Sequence, residues 1–285
     1  MQAVKPRIEA VAAAAPHRSG VAARPAAAWP RVRGQAAAVA MGALLPLALL
    51  VLWQLAARHQ WVGSGTLVAP RQVYDTLAEF YADGTLGQDF RASLRRVLVG
   101  YAAGAALGLL FAIAAGASRR VAAAFLPSFH VLRQVPVIAW LPLAIFLAGF
   151  GEGFKIAMVA IAAFFPAALN ALDGIRGVPP ALLELGRSLC FSRLQALRRV
   201  VLPYALPDIA TGLRLSLSRS WMIVVAAEMI ASTVGVGYRM NWARQLFQVD
   251  IVFAGVLITG AVGLAIDIGL RLAFRPVTAW RGVRQ

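Results

Sequence analysis

Glu228 is the ionisable residue hardest to place on an ordinary surface, because it lies inside the apolar stretch from about Ile209 to Ala231. An intramembrane carboxyl costs about 2.5 to 3.5 kcal/mol on insertion scales, so it is expected to face a bundle interior or a solute path and not lipid. Trp221, two helical turns earlier, shares its face. Both are candidates for lining such a path, with a carboxyl hydrogen-bonded for packing alone as the plainer alternative. Asp267 is a second acid within an apolar stretch, and Arg271 four residues on forms an i,i+4 pair that lowers its cost.

Reactive chemistry is otherwise missing. A phosphate-cradling G-x-x-x-x-G-K-[ST] loop, an H-E-x-x-H pair and a G-x-S-x-G elbow are all absent from the sequence. Cys190 is the single cysteine, so an intrachain disulfide or a thiolate metal cluster is impossible. His17, His59 and His130 have no spacing that puts two imidazoles on one helical face. The chain is expected to hydrolyse nothing itself and to need neither metal nor cofactor. If it moves a solute against a gradient, energy enters from another subunit or from an ion.

The segment from Asp173 to Ala205 is the most informative polar stretch. Pro179-Pro180 favours a helix start, since proline at the first helical position gives up only an orphan donor. Leu182, Leu185 and Leu189 then share one face, with Glu184, Arg187 and Ser188 on the other. Glu184 is expected in the first turn, where the helix dipole favours a carboxylate. Ser192 and Gln195 have the spacing of a capping box. A second helix is expected to carry Leu194, Leu197 and Val201 on one stripe beside Arg198 and Arg199, closed by Leu202-Pro203. Two amphipathic helices too short to span read as an interfacial pair on lipid headgroups or as a docking element for a cytoplasmic protein.

The elements that must carry these residues are membrane helices. Apolar residues make up 60% of the chain and mean hydropathy is +0.71, which points to a lipid bilayer. The uncharged runs predict about six spans: Ala36 to Ala57, Val97 to Ala117, Gln134 to Gly151, Ile156 to Leu172, Ile209 to Ala231 and Ile251 to Leu270. Arg95/Arg96 and Arg119/Arg120 read as the boundaries of the second, and Glu152 to Lys155 as a tight turn between the third and fourth. Gly100, Gly104, Gly108, Ala112 and Gly116 recur every four residues, a face that lets two membrane helices approach closely. Residues 58 to 96 are expected to hold a short amphipathic helix on the outer face.

Lys and Arg are more than twice as numerous in the tail, 118 to 133, 173 to 205 and the C-terminal segment as in the alternate connections, which predicts both termini cytoplasmic. Residues 1–35, basic and rich in Ala and Pro, read as a disordered cytoplasmic tail, or in part as an upstream start-site extension before Met41. Residues 36–274 form the membrane domain and 275–285 a second cytoplasmic tail. The net charge of +16 is dispersed between apolar runs without interleaved aromatics, so a nucleic-acid partner is not expected.

Glu184-Leu185-Gly186, then Cys190, then Val200, Leu202 and Pro203 reproduce the spacing of an E-A-A-x-x-x-G-x(9)-I-x-L-P loop. On these residues the chain resembles the permeases of binding-protein-dependent ABC transporters. Gly186 stands where that loop usually has alanine, and Cys190 where it has glycine. The resemblance runs from about Leu67 to Ala279. Leu67 to Val73 looks like the L-P-S-P-x-x-V stretch of the sulfonate, taurine and nitrate branch, to which Gln134-Val135-Pro136, Gly212-Leu213-Arg214, Trp221, Ala227-Glu228 and Gly235-Val236-Gly237-Tyr238 are also similar.

The resemblance implies an all-α, MetI-like permease fold in the bacterial inner membrane. It implies a homodimer served by two cytoplasmic ABC ATPase subunits and a periplasmic substrate-binding protein, importing a small anion of sulfonate, taurine or nitrate type by alternating access. In that family the loop is a coupling helix docked in a cleft of the ATPase, which assigns this role to Glu184, Leu185, Gly186, Arg187, Cys190, Leu202 and Pro203. Gln134, Pro136, Trp221 and Glu228 are the expected path residues. The rival is an ion-coupled secondary transporter with Glu228 as its proton site.

Overall fold

The computed structural model describes residues 31–61, 63 and 67–278, so most of the N-terminal tail and the last seven residues lie outside the described residues. Every regular element among the described residues is helical. Helix α1 (Arg31–Arg58) divides at Leu52 and Trp53. The part up to Leu52 is a unit of its own, apolar and with Pro46 inside it, and Trp53 onward belongs to the main body. There Trp53 stacks on Phe253 at 5.2 Å, and its indole N–H donates to Val68 O at 2.9 Å.

The main body continues with α2 (Pro70–Ala82), α3 (Thr85–Ala117) and α4 (Arg119–Leu132), then a 3-10 turn (Val137–Trp140) and α5 (Leu141–Ala148). Next come α6 (Glu152–Arg176), α7 (Pro180–Ser188), α8 (Arg193–Ala196) and a π-helical turn (Leu197–Val201). The chain closes with α9 (Leu202–Ala231), α10 (Val236–Gln245) and α11 (Val249–Thr278). Helices α3, α6 and α11 are long and apolar enough to cross a membrane. The count reaches five if α4 with the 137–148 segment, and 193–231 with α10, are each one bent span. The apolar helix Leu44–Arg58 falls at the first expected span.

The small-residue face of α3 packs against α6, as its spacing implies. A Cβ on Gly100 would stand 2.7 Å from Ile156 O, one on Gly108 would stand 2.7 Å from Phe164 O, and one on Gly104 would collide with Ala160 O. Only glycine lets these backbones meet, and in lipid this van der Waals contact supplies the association energy that hydrophobicity cannot. Helix α9 closes on the other side of α6, where Ser216 Oγ donates to Ala163 O at 2.9 Å. The core near one end combines Phe129, Leu126, Ala168, Leu172 and Ile209, and near the other Val97, Val159, Trp221 and Val224.

Four expectations need correction. Gln134 to Gly151 is not one span: α4 and the 137–148 segment meet at 95°. Pro136 disfavours a helical residue before it and lies in the break between the two helices, and residues 137–148 extend only about 18 Å, short of the ~30 Å hydrocarbon core. Residues 118–133, read as a connection, form a helix capped by Ser118, with Leu126 and Phe129 buried. Arg95 and Arg96 do not bound the second span either, because α3 runs unbroken from Thr85 and buries Asp89, Ser93 and Arg96. Leu202-Pro203, finally, does not end a helix. The π-helical turn runs on into α9 with helical angles at Val201, and Pro203 sits at the joint between them.

Candidate functional site

The Asp173 to Ala205 segment is built as the sequence suggests at its turns. Helix α7 starts with Pro179 as cap and Pro180 as first residue, which puts Glu184 in the second turn and not the first. Its end is a Schellman closure: Phe191 N–H donates to Gly186 O at 3.0 Å and Cys190 N–H to Arg187 O at 2.9 Å. That closure needs a left-handed residue, and Cys190 takes it with φ 54°. A glycine at this position of the loop thus has a conformational reason, and the cysteine accepts strain to stand there. Gly186 is buried beneath Phe191, where a Cβ would sit 3.6 Å from Phe191 Cδ2, so alanine fits as well. The capping box forms: Gln195 N–H donates to Ser192 Oγ at 3.3 Å, and Ser192 N–H to Gln195 Oε1 at 2.9 Å.

The loop presents an unpartnered surface. Glu184 and Arg187 are exposed, and so are Leu185 at 56% and Leu189 at 58%, the apolar face itself. Cys190 is an exposed free thiol, and of the last pair Leu202 is half-buried and Pro203 exposed. After Val201 the chain passes through the π-helical turn directly into α9.

At the other end of α9, Glu228 is 1% exposed. Its Oε1 accepts from Arg96 Nη1 at 2.7 Å, its Oε2 from the Gly237 backbone N–H at 3.0 Å, and Ser93 Oγ lies 2.8 and 2.9 Å from the two oxygens. Arg96 spends the rest of its fork on Val234 O at 2.7 Å and on both oxygens of Glu152 at 2.8 Å, and Lys155 Nζ reaches Glu152 Oε1 at 2.6 Å. The two acids and two bases pair with one another, Glu152 from an exposed position and the other three from buried ones. Asp89 adds a second layer, accepting from Gly235 N–H at 3.0 Å and from Arg239 Nε at 2.7 Å. Val236 N–H donates to Ser93 Oγ at 3.1 Å.

Three consecutive amides at the start of α10 are therefore each taken by a side chain of α3 or α9. The first turn of a helix presents orphan N–H groups with a partial positive charge, an anion site that this chain fills with its own carboxylates. Gly235 makes the approach possible. Its φ is +134°, and a Cβ there would lie 2.5 Å from the Glu228 carboxyl carbon.

The four expected path residues do not come together. Gln134 and Pro136 are exposed in the turn after α4, whereas Trp221 is buried with its indole N–H on Thr259 O at 2.9 Å. Sequence reading missed Ser93, Arg96, Glu152, Lys155 and Asp89. A signal existed: Asp89, Ser93 and Arg96 stand at i, i+4 and i+7 and continue the Gly100 stripe, a polar extension of a packing face. Asp267 does pair with Arg271 at 2.7 Å, as its spacing implies.

Residues 104–277 match the family model described as "Binding-protein-dependent transport system inner membrane component". The chain belongs to this family. The permease is 40% identical over 240 residues to a Bacillus subtilis (strain 168) protein with the provisional name aliphatic sulfonates transport permease protein SsuC, covering 84% of this chain and 87% of that one. It is 36% identical to the taurine transport system permease protein TauC of Escherichia coli (strain K12), over 82% of this chain and 87% of that one. With the nitrate import permease protein NrtB of Synechocystis sp. (strain PCC 6803 / Kazusa) it shares 34% identity over 77% and 82%. In fold it is similar to a chain of the inward-facing MetNI methionine ABC transporter, with TM-score 0.57 at 18% identity over 65% of this chain and 93% of that one. The permease is thus a multi-pass inner-membrane subunit of an ATP-driven importer, and ATP hydrolysis belongs to a separate subunit.

Proposed function

We propose that two copies of the permease form the pathway of an importer for a small anion of sulfonate type, alternating between outward and inward access with both termini cytoplasmic. Relatives named for aliphatic sulfonates, taurine and nitrate support the anion class. In this reading residues 173–205 dock on the ATPase through Glu184, Leu185, Gly186, Arg187 and Cys190, and Leu202 and Pro203 join the loop to α9. A receptor protein loaded with the anion engages the opposite side. The exposed Gln134 and Pro136 face the path, while Trp221 and Glu228 hold the bundle around it. The tail 1–35 and residues 275–285 flank the membrane domain on the cytoplasmic side.

The observation that carries the docking role is the exposed apolar and charged face of α7, fixed by the left-handed turn at Cys190 and continued into α9. A transition between two states needs a ligand that prefers one of them, and a face fixed in this way lets an ATPase act on α9. A proton-coupled mechanism through Glu228 is disfavoured, because its carboxylate is already held by Arg96, Ser93 and the Gly237 amide. The test is Glu184→Lys. Removing an exposed charge costs the fold less than about 1 kcal/mol, whereas loss of a docking anchor costs an interface about 2 kcal/mol or more. The variant should insert normally while losing ATPase association and taurine- or alkanesulfonate-dependent growth together. Wild-type copurification with the ATPase would remove the docking role from this helix.

A further inference from the structure

A cavity of about 740 Å³ opens beneath the loop, between the α3–α4 junction, the end of α6 and the α7–α8 hairpin. Its volume falls within the ~300 to 1,000 Å³ range of small-molecule sites. Arg119, Arg187 and Arg193, from three different helices, line it, together with apolar groups that include Ile175, Leu183 and Phe191. Aspartate and glutamate are absent from its lining. Arg96, Lys155, Arg239 and Arg271 are each paired with an acid, whereas among the described residues no ion pair is formed by Arg119, Arg187 or Arg193.

Three arginines lining one hollow whose lining holds no acid make it electropositive, and an anion bound there is favoured. Guanidinium forks match tetrahedral oxyanions, which accept paired N–H bonds that a lysine would meet only as a point charge. The apolar remainder of the wall suits a hydrocarbon group attached to the anion. We propose that this cavity binds a sulfonate, sulfate or phosphate group carried on a short apolar moiety. The occupant ties α7 and α8 to the start of α4, and so sets the position of the loop relative to the bundle. Two sources offer this chemistry, a free organic anion at the loop side of the membrane and the headgroup of an anionic phospholipid. Arg187 and Gly186 also belong to the proposed docking face, so the test rests on Arg119 and Arg193, neither of which is among the proposed docking contacts.

The test uses the full chain purified with its ATPase. In one arm, in non-ionic detergent, sodium butanesulfonate is titrated against sodium chloride of equal ionic strength, following binding heat and thermal unfolding. In the other, the complex is placed in nanodiscs of phosphatidylcholine with and without phosphatidylglycerol. Saturable binding or stabilisation is expected in at least one arm, weakened at least tenfold by Arg119→Gln and, separately, by Arg193→Gln. A response to butanesulfonate identifies a free anion as occupant, and a response to phosphatidylglycerol alone identifies the lipid. Both variants remove exposed side chains, so folding should survive, and the unfolding midpoint without ligand checks this. Absence of saturable binding in both arms, or binding that neither variant weakens, overturns the proposal.

Discussion

Replacing Arg96 by leucine tests whether the cluster at the end of α9 is held by charge balance. In the wild type Arg96 makes four hydrogen bonds at 2.7 to 2.8 Å, two to Glu152, one to Glu228 and one to Val234 O. The two acids stand in different surroundings: the Glu228 side chain is 0% exposed and that of Glu152 is 57% exposed. Without Arg96, Glu152 keeps Lys155 and water, while Glu228 keeps only Ser93 and the Gly237 amide. Breaking a buried pair by removing one partner costs about 3 to 5 kcal/mol, because the other charge is left uncompensated. Glu228→Gln retains the side-chain shape and leaves Arg96 on Glu152, so it should cost less, about 1.5 to 3 kcal/mol for a charged hydrogen bond. The double replacement should cost less than the sum of the two, since removing Glu228 removes the charge that Arg96 was needed to balance. Glu152→Gln should be the mildest of all. Reversible unfolding of the four variants in one detergent measures these differences. An Arg96→Leu protein as stable as the wild type, or additive costs in the double variant, would refute the argument.

Three further outcomes follow from the geometry. Gly235→Ala should destabilise by about 2 kcal/mol or more, because it combines a strained backbone with a Cβ against the Glu228 carboxyl; amide exchange at residues 235–237 should rise with it. Cys190→Gly should leave the loop intact and stabilise it by up to about 1 kcal/mol in thermal unfolding, by relieving the left-handed cysteine; a loss of stability would mean that the thiol has a partner. In that cysteine-free background Asp83→Cys and Tyr238→Cys should react with an impermeant maleimide in intact cells, and Arg193→Cys only after permeabilisation. Strong external labelling at 193 would reverse the proposed orientation.

The helices and the loop were legible in the sequence because their signals are local. A four-residue repeat of glycine, a Pro-Pro start and a Ser-x-x-Gln box each constrain a few neighbouring residues, and Gly100, Pro180 and Ser192 all act as their spacing implies. The polar cluster was not legible, because most of its contacts join residues 56 to 150 positions apart in the chain. In a run of apolar residues, charges such as Arg96 and Lys155 resemble the ends of spans. Burial becomes tolerable only through partners on other helices, which a single hydropathy profile does not contain. The broken third span was hidden for a related reason. The uncharged run begins at Gln134, and hydropathy alone does not show that its helical part covers only residues 137–148.

The continuity of residues Arg193–Ala231 has a mechanical meaning. At 1.5 Å per residue this rod is about 58 Å long, with the loop at one tip and the Glu228 cluster near the other. Its soft places, the π-helical turn at 197–201 and the prolines at 203 and 207, are all at the loop end. Beyond Pro207 the rod is free of proline and gripped by α6 along its length, so it resists bending. Under the proposed docking role, a displacement of α7 is taken up first at these soft places and then carried by the straighter part of the rod towards the far tip. There the same carboxylate that ends the rod also pins the first turn of α10. In that role the rod is a lever with play beside the handle and a straighter arm ending at the latch.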